Sequence, residues 1–268
     1  MKELANIIRE HIAWRPQILH LAWTDLKKTF SGAALGWSWA LIKPGVTIFV
    51  YWFAFSSGLR HHAGIEGFPF FLWMMAGIIP WFYIREMLNK GTNAMRRYKH
   101  LITKMKFPVS TIPTFISLAE MMVHLFLLAI TLVLFICWGY TPNRYWIQLP
   151  LYLFLMFLFC TGWALFGSVL AAMSQDFLNL VRSFTMALFW LSCIMFPITN
   201  IRSQTIVRVM KCNPVTFTVE GYRNCLVHGT WFFEDLSWLA VYLIELVIIW
   251  VLAVWTFHRM KREMPDVL

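Results

Sequence analysis

Three observations predict an all-α integral membrane protein. Of 268 residues, 59% are hydrophobic and 13% charged, with mean hydropathy +0.62, whereas ordinary soluble domains carry about a quarter charged residues. Apolar stretches near the ~20 residues that cross a bilayer occur six times, at 34–58, 68–88, 110–138, 147–172, 179–198 and 236–257. Lys and Arg in the connections, counted with Arg182 near the start of the fifth stretch, divide unevenly, 15 on the side that holds both termini and 6 on the other. Cationic excess marks the cytoplasmic side, so both termini are expected there. So dense a set of spans leaves no separate soluble core, and 1–268 reads as one membrane domain. A cytoplasmic start covers 1–31, the six-helix part 34–257 and a cytoplasmic tail 258–268.

Met1 to Pro16 lacks the short apolar core and small-residue cleavage site of a signal peptide, so insertion is expected to use the first span. Pro16 suits the first turn of a helix. After it, Leu19, Trp23, Leu26 and Phe30 recur at helical spacing among polar residues, the stripe of a helix lying in the membrane surface over 17–30. Gly32, Gly36 and Ala40 then recur every four residues, a spacing that allows close helix approach and that chance also produces in membrane helices.

Between the second and third spans lies the most basic stretch, with six Lys or Arg and no acid from Lys90 to Lys106. Leu101, Ile102 and Met105 are interleaved with its charges. A solvated loop has no use for such a stripe, so a short helix docked on lipid headgroups or on a cytosolic partner is expected, beside the simpler reading of a topology anchor. The net charge of +10 sits next to apolar spans, where anionic lipid is the nearer partner than nucleic acid.

Within the spans, Glu120 and His124 stand one helical turn apart and could hydrogen-bond, either as a satisfied pair or as part of a proton path. Lys43 and Glu245 read as lone buried charges. The 37-residue segment after the fifth span carries two short apolar pieces, Ile206 to Met210 and Val215 to Val219, interrupted at Pro214 and Gly221. Neither can cross alone, so a re-entrant external element is expected, with an ordinary external loop as the alternative. Of five cysteines, Cys137, Cys160 and Cys193 fall at membrane depth as small hydrophobes, and Cys212 and Cys225 share the external segment, where a disulfide is an option. Fifteen Trp and 24 Phe serve as interfacial anchors or as a lining for sugars.

No G-x-x-x-x-G-K-[ST] phosphate loop, H-E-x-x-H or G-x-S-x-G occurs, so neither nucleotide hydrolysis nor another enzymatic activity is expected of this chain by itself. No metal-ligand spacing is present.

The motifs Leu35-Gly36-Trp37 with Pro44, Gly77-Ile78-Ile79-Pro80-Trp81, Gly91-Thr92-Asn93, Leu101-Ile102, Phe107-Pro108, Asn213-Pro214 with Glu220 and Tyr222-Arg223, and the ending Asp266-Val267-Leu268 together resemble the permease subunits of ABC-2 type exporters for polysaccharides and teichoic acids. The resemblance runs over nearly the whole chain. It implies a homodimer in a bacterial plasma membrane, bound in a 2+2 complex to an ABC ATPase chain that holds ATP and Mg, and moving a lipid-linked polymer outward. It also implies an ATPase-coupling contact and cytosolic gate at Gly91, Thr92, Asn93, Arg96, Arg97, Leu101, Ile102 and Lys104. An outer gate would use Asn213, Pro214, Glu220 and Arg223, and a pathway Trp37, Trp52, Trp81, Glu120 and His124. The helix at 17–30 would be the family's interface helix. The start of the chain and Val50 to Phe55 look most similar to wall teichoic acid exporters, with O-antigen or capsule export as the alternative. Met95-Arg96-Arg97-Tyr98 departs from the family by being more basic. A membrane-embedded transferase for lipid-linked sugars and a proton-driven carrier stay open as other classes, the first without a clustered acid or base, the second without an internal repeat.

Overall fold

The computed structural model describes residues 2–31, 35–59, 65, 67–104 and 107–261. Gly32, Arg60, Met105, Lys106, Arg262 and the Asp266-Val267-Leu268 ending lie outside them. The described residues form helices and no strand beyond one isolated bridge between Ile65 and Phe68.

Two helices precede the first span. α1 (Lys2–Ala13) was not foreseen; α2 (Arg15–Phe30) follows at once, with Pro16 in its first turn. The covered face of α2 is Ile18, Ala22, Asp25 and Leu26, while Leu19 and Trp23 stay 55% and 46% exposed. The expected stripe is therefore divided between two faces. Ile18, Ala22 and Leu26 recur at i, i+4 and i+8 and pack in one cluster with Ile112, Phe115 and Ile116, leaving Leu19 and Trp23 for another environment.

α3 (Trp39–Phe53) is entered by a short 3₁₀ turn and carries Pro44 inside. α4 (Phe70–Glu86) is apolar on every side and every residue from Leu72 to Ile84 is buried, as befits the central helix of a bundle. A π-helical turn, Met87–Gly91, extends it into the basic segment, which folds as α5 (Ala94–Arg97) and α6 (Lys99–Lys104). α7 (Ile112–Cys137) and α8 (Leu149–Met173) follow, with Pro113 and Pro150 at their first turns. The small residues of α8 admit close neighbours: a Cβ on Gly162 would meet the Trp250 ring at 3.0 Å, and one on Gly167 the Thr92 hydroxyl at 3.1 Å.

α9 (Gln175–Leu191) begins earlier and ends sooner than the fifth span, expected at 179–198. Its end has a local cause. Cys193 takes a left-handed φ of 54°, and the carbonyls of Cys193 and Ile194 accept from Arg223 at 2.7 and 2.6 Å instead of from a following helical turn. α10 (Gln204–Lys211), α11 (Pro214–Arg223) and α12 (Leu236–Met260) complete the order.

By length and composition, four described helical stretches can cross a membrane: Gly36–Ser56, Val109–Cys137, Arg144–Met173 and Phe232–Met260. The other two expected spans correspond to α4 and α9, each of 17 residues. α4 gains length from its π turn, but Arg85, Glu86 and Lys90 near that end lower its apolar character.

Candidate functional site

The basic segment is anchored by contacts with the chain itself. At its start, Gly91 lies so near α8 that a Cβ there would sit 2.8 Å from the Cβ of Ala164, and buried Thr92 accepts from the Trp163 indole at 3.2 Å. Asn93, half-buried, precedes α5. Arg96 donates to the carbonyls of Ala171 and Ala172, the latter at 3.3 Å. Those are carbonyls of the last turn of α8, where a cation also meets the negative end of the helix dipole. Arg97 pairs with Asp25 of α2 at 2.7 Å, and the Tyr98 hydroxyl donates to the same carboxylate oxygen. Burial first, and then Asp25, pushes the Tyr98 hydroxyl up from its ordinary pKa, so it stays a donor.

Leu101 is buried within the cluster built by α2, α7 and α12, and Ile102 packs against its edge. Of the apolar stripe, Leu101 is thus covered by this chain, Ile102 stays half-buried, and Met105 lies outside the described residues. Lys104 ends α6. Among the residues of the platform whose exposure is described, Arg97, Lys99, His100 and Thr103 are exposed.

Glu120 and His124 do not bond to one another. Glu120 accepts from Lys90 at 2.7 Å, and Lys90 also lies 3.2 Å from Glu86. The His124 Nε2 and the Tyr222 hydroxyl of α11 are 2.7 Å apart. Each expected partner is replaced by a group on a neighbouring helix, because one helical turn points both side chains into the same crowded interface. Between these contacts, the Tyr83 hydroxyl meets Ser117 at 2.7 Å and Thr161 donates to Ser117 at 2.9 Å. Lys43 is exposed, lying over the Trp39 ring at 5.8 Å, and Glu245 is half-buried, so neither is the deeply buried charge expected.

The segment after α9 does fold back. Asn213 caps α11, its side chain accepting from the Val215 amide at 3.0 Å and donating to Ser192 at 2.9 Å. Pro214 occupies the first turn, where its missing N–H costs nothing. Every residue from Val215 to Arg223 is buried, with α4 and α8 as neighbours. Gly221 does not break the helix as expected; it sits inside α11, where a Cβ would collide with the Tyr152 ring. Arg223, fully buried, binds Glu220 at 2.7 Å and lies 3.5 Å above the Trp73 ring. Gly77 makes room for it, since a Cβ there would fall 2.5 Å from a guanidinium nitrogen. Cys212 is exposed and Cys225 buried, both as free thiols. The ten residues of α11 lie between them and rise roughly 15 Å, against a Cα separation of about 4.4–6.8 Å in a disulfide, so the two thiols are not bridged here.

Of the aromatic residues expected along a pathway, Trp81 is buried against Phe189 at 5.6 Å, Trp37 stands exposed 6.1 Å from Trp23, and Trp52 is exposed beside Phe71. None of the three lines the cleft that holds Glu120 and His124. Residues missed from sequence include Asp25, Lys90, Tyr222 and Trp73. Asp25 left one signal, an acid on the Ile18–Ala22 face of a helix otherwise basic toward its end.

The family described as "ABC-2 type transporter" matches residues 16–227, from the start of α2 through α11 and its continuation. The chain belongs to the ABC-2 type transporter family. This ABC-2 chain is 23% identical over 221 residues to the "O-antigen export system permease protein RfbA" of Myxococcus xanthus, covering 82% of this chain and 84% of that one. It is 24% identical over 208 residues to the "Polysialic acid transport protein KpsM" of Escherichia coli, covering 76% and 79%. The matched interval of the ABC-2 family takes in both the basic platform and the folded-back α10–α11 segment.

Proposed function

We propose that the chain is the membrane subunit of an exporter that moves a lipid-linked cell-surface polysaccharide outward across the bacterial plasma membrane, driven by ATP hydrolysed on a separate ABC ATPase. The family match over 16–227 carries this reading, and the printed roles of the two relatives support the polysaccharide class. Those names support an O-antigen or capsular polymer and lend no support to the teichoic acid that the sequence reading placed first. Six crossings, with both termini and the α5–α6 platform in the cytoplasm, are supported by the 15-to-6 distribution of Lys and Arg. The ATPase is proposed to dock on the exposed Arg97, Lys99, His100 and Thr103. Two copies are proposed to meet through α3 and α9, whose uncovered faces carry Phe49 and Phe53, and Phe184, Met186 and Trp190. The α10–α11 segment would close the outer end.

Reconstitution tests the whole reading. The chain and a phosphate-loop ATPase encoded with it are placed together in vesicles with lipid-linked polysaccharide. ATP-dependent movement of polymer, lost when either subunit is omitted, is expected. Hydrolysis by the isolated chain, or polymer movement without ATP, would overturn it.

A further inference from the structure

At the basic end of the bundle, α2, α3, α4 and α7 enclose a cleft of about 210 Å³. Three cations, Lys43, Arg85 and Lys90, face two carboxylates, Glu86 and Glu120, which leaves one positive charge in excess. The internal pairing is uneven. Lys90 is spent on Glu120 and Glu86 at 2.7 and 3.2 Å. Arg85 gives one nitrogen to Glu86 at 2.9 Å while its side chain remains 40% exposed, and Lys43 makes no ion pair among the described residues. Two donors are therefore available to a further anion, and a planar guanidinium suits phosphate oxygens.

The rest of the wall argues for what that anion is attached to. Along α4 and α7 the charged groups come nearest the basic end, and Phe82, Val123 and Leu127 line the same cleft a turn or more further in. α3, which closes the cleft on one side, buries only Ala40 and Ile48 among its described residues, so this wall adjoins apolar helix surface. A soluble anion has no use for the apolar part. A lipid phosphate uses both, its headgroup on the cations and its chain along the floor.

The geometry points to a lipid-phosphate site here, with Lys43 and Arg85 holding the phosphate and Phe82, Val123 and Leu127 bordering the first carbons of the chain. The phosphate has two sources, an anionic phospholipid of the membrane or the phosphate end of a lipid carrier. The second source rests on the export reading.

Native mass spectrometry of the purified, delipidated protein tests this with phosphatidylglycerol, a polyprenyl phosphate and diacylglycerol as probes. One phosphate-bearing lipid per chain is expected to be retained, at least tenfold more weakly by the Lys43→Gln/Arg85→Gln variant, with the remote Arg144→Gln variant unchanged and diacylglycerol not retained. Should the double variant melt early, Lys43→Gln alone carries the comparison. Preference for phosphatidylglycerol marks a membrane phospholipid site, and preference for polyprenyl phosphate marks the carrier; either supports the assignment. Equal retention by wild type and variants, or retention of diacylglycerol as strong as that of the phosphates, overturns it. No ATP or transport enters the readout, so failure of the export reading leaves this result standing, and the reverse.

Discussion

Arg97 of α5 donates to Asp25 of α2 at 2.7 Å, and Asp25 is 1% exposed while the Arg97 side chain is 32% exposed. The pair, joined by the Tyr98 hydroxyl, ties the basic platform to the helix that precedes the first span. Any force applied to the exposed residues of α5 and α6 is thereby passed to α2 as well as to the end of α8.

Removing that tie has a measurable cost. Asp25→Ala frees a partly solvated Arg97 and a buried Tyr98 hydroxyl, so the loss should be ~1–3 kcal/mol, mostly from the hydroxyl left without its acceptor. Earlier tryptic cleavage after Arg96 or Arg97 is expected, together with a lower melting temperature in detergent. An unchanged cleavage rate would show that Asp25 does not hold the platform.

Leu101 and Ile102 should separate in their effects. Leu101→Asp places a charge in the cluster containing Tyr98, Phe115 and Phe257, and is expected to reduce folded yield severely, by several kcal/mol of stability. Ile102→Asp, at the edge, should be tolerated in folding, and under the proposed function should weaken ATPase binding at most modestly. Comparable folded yields for the two variants would contradict the burial difference.

Arg223 offers a sharper test of the folded-back segment. Its guanidinium links Glu220, the carbonyls of Cys193 and Ile194, and the Trp73 ring. Arg223→Met leaves Glu220 and two carbonyls short of a donor at a cost of about 3–5 kcal/mol, and Arg223→Lys is not expected to rescue, because one ammonium cannot reproduce the planar fork. Gly221→Ala should also destabilise through the Tyr152 ring, with partial recovery when Tyr152 is shortened to Leu. Thermal melts of the four variants check both statements.

Mobility of the same segment is tested by Ser192→Cys with Asn213→Cys in a background without native cysteines, since those side chains meet at 2.9 Å. The pair is expected to oxidise readily and, under the proposed function, to block export while leaving assembly intact. Normal export by the oxidised protein would make α10–α11 a passive cover.

Orientation is checked by single cysteines at Lys99 and Glu234 in the same background. Only the Glu234 site should react with a membrane-impermeant reagent in intact cells. Labelling at Lys99 would reverse the proposed topology and remove the platform from the cytoplasm.

Composition, the spacing of apolar stretches and the distribution of charge by themselves determined that this is a helical membrane protein, where its long helices lie, and that the apolar pieces on either side of Pro214 are too brief to cross. These are properties of contiguous residues, governed by helix rise, bilayer thickness and local capping, so a sequence displays them directly. The choice of partners was decided only by tertiary structure. Glu120 met Lys90 and not His124, Leu101 turned into the chain's own core, Gly221 proved to be a contact with Tyr152 and not a break, and Arg223 reached back to the end of α9. Those outcomes depend on which helix faces which, and a side chain one turn from a suitable partner will still bond across the interface when burial leaves it no other way to satisfy its charge.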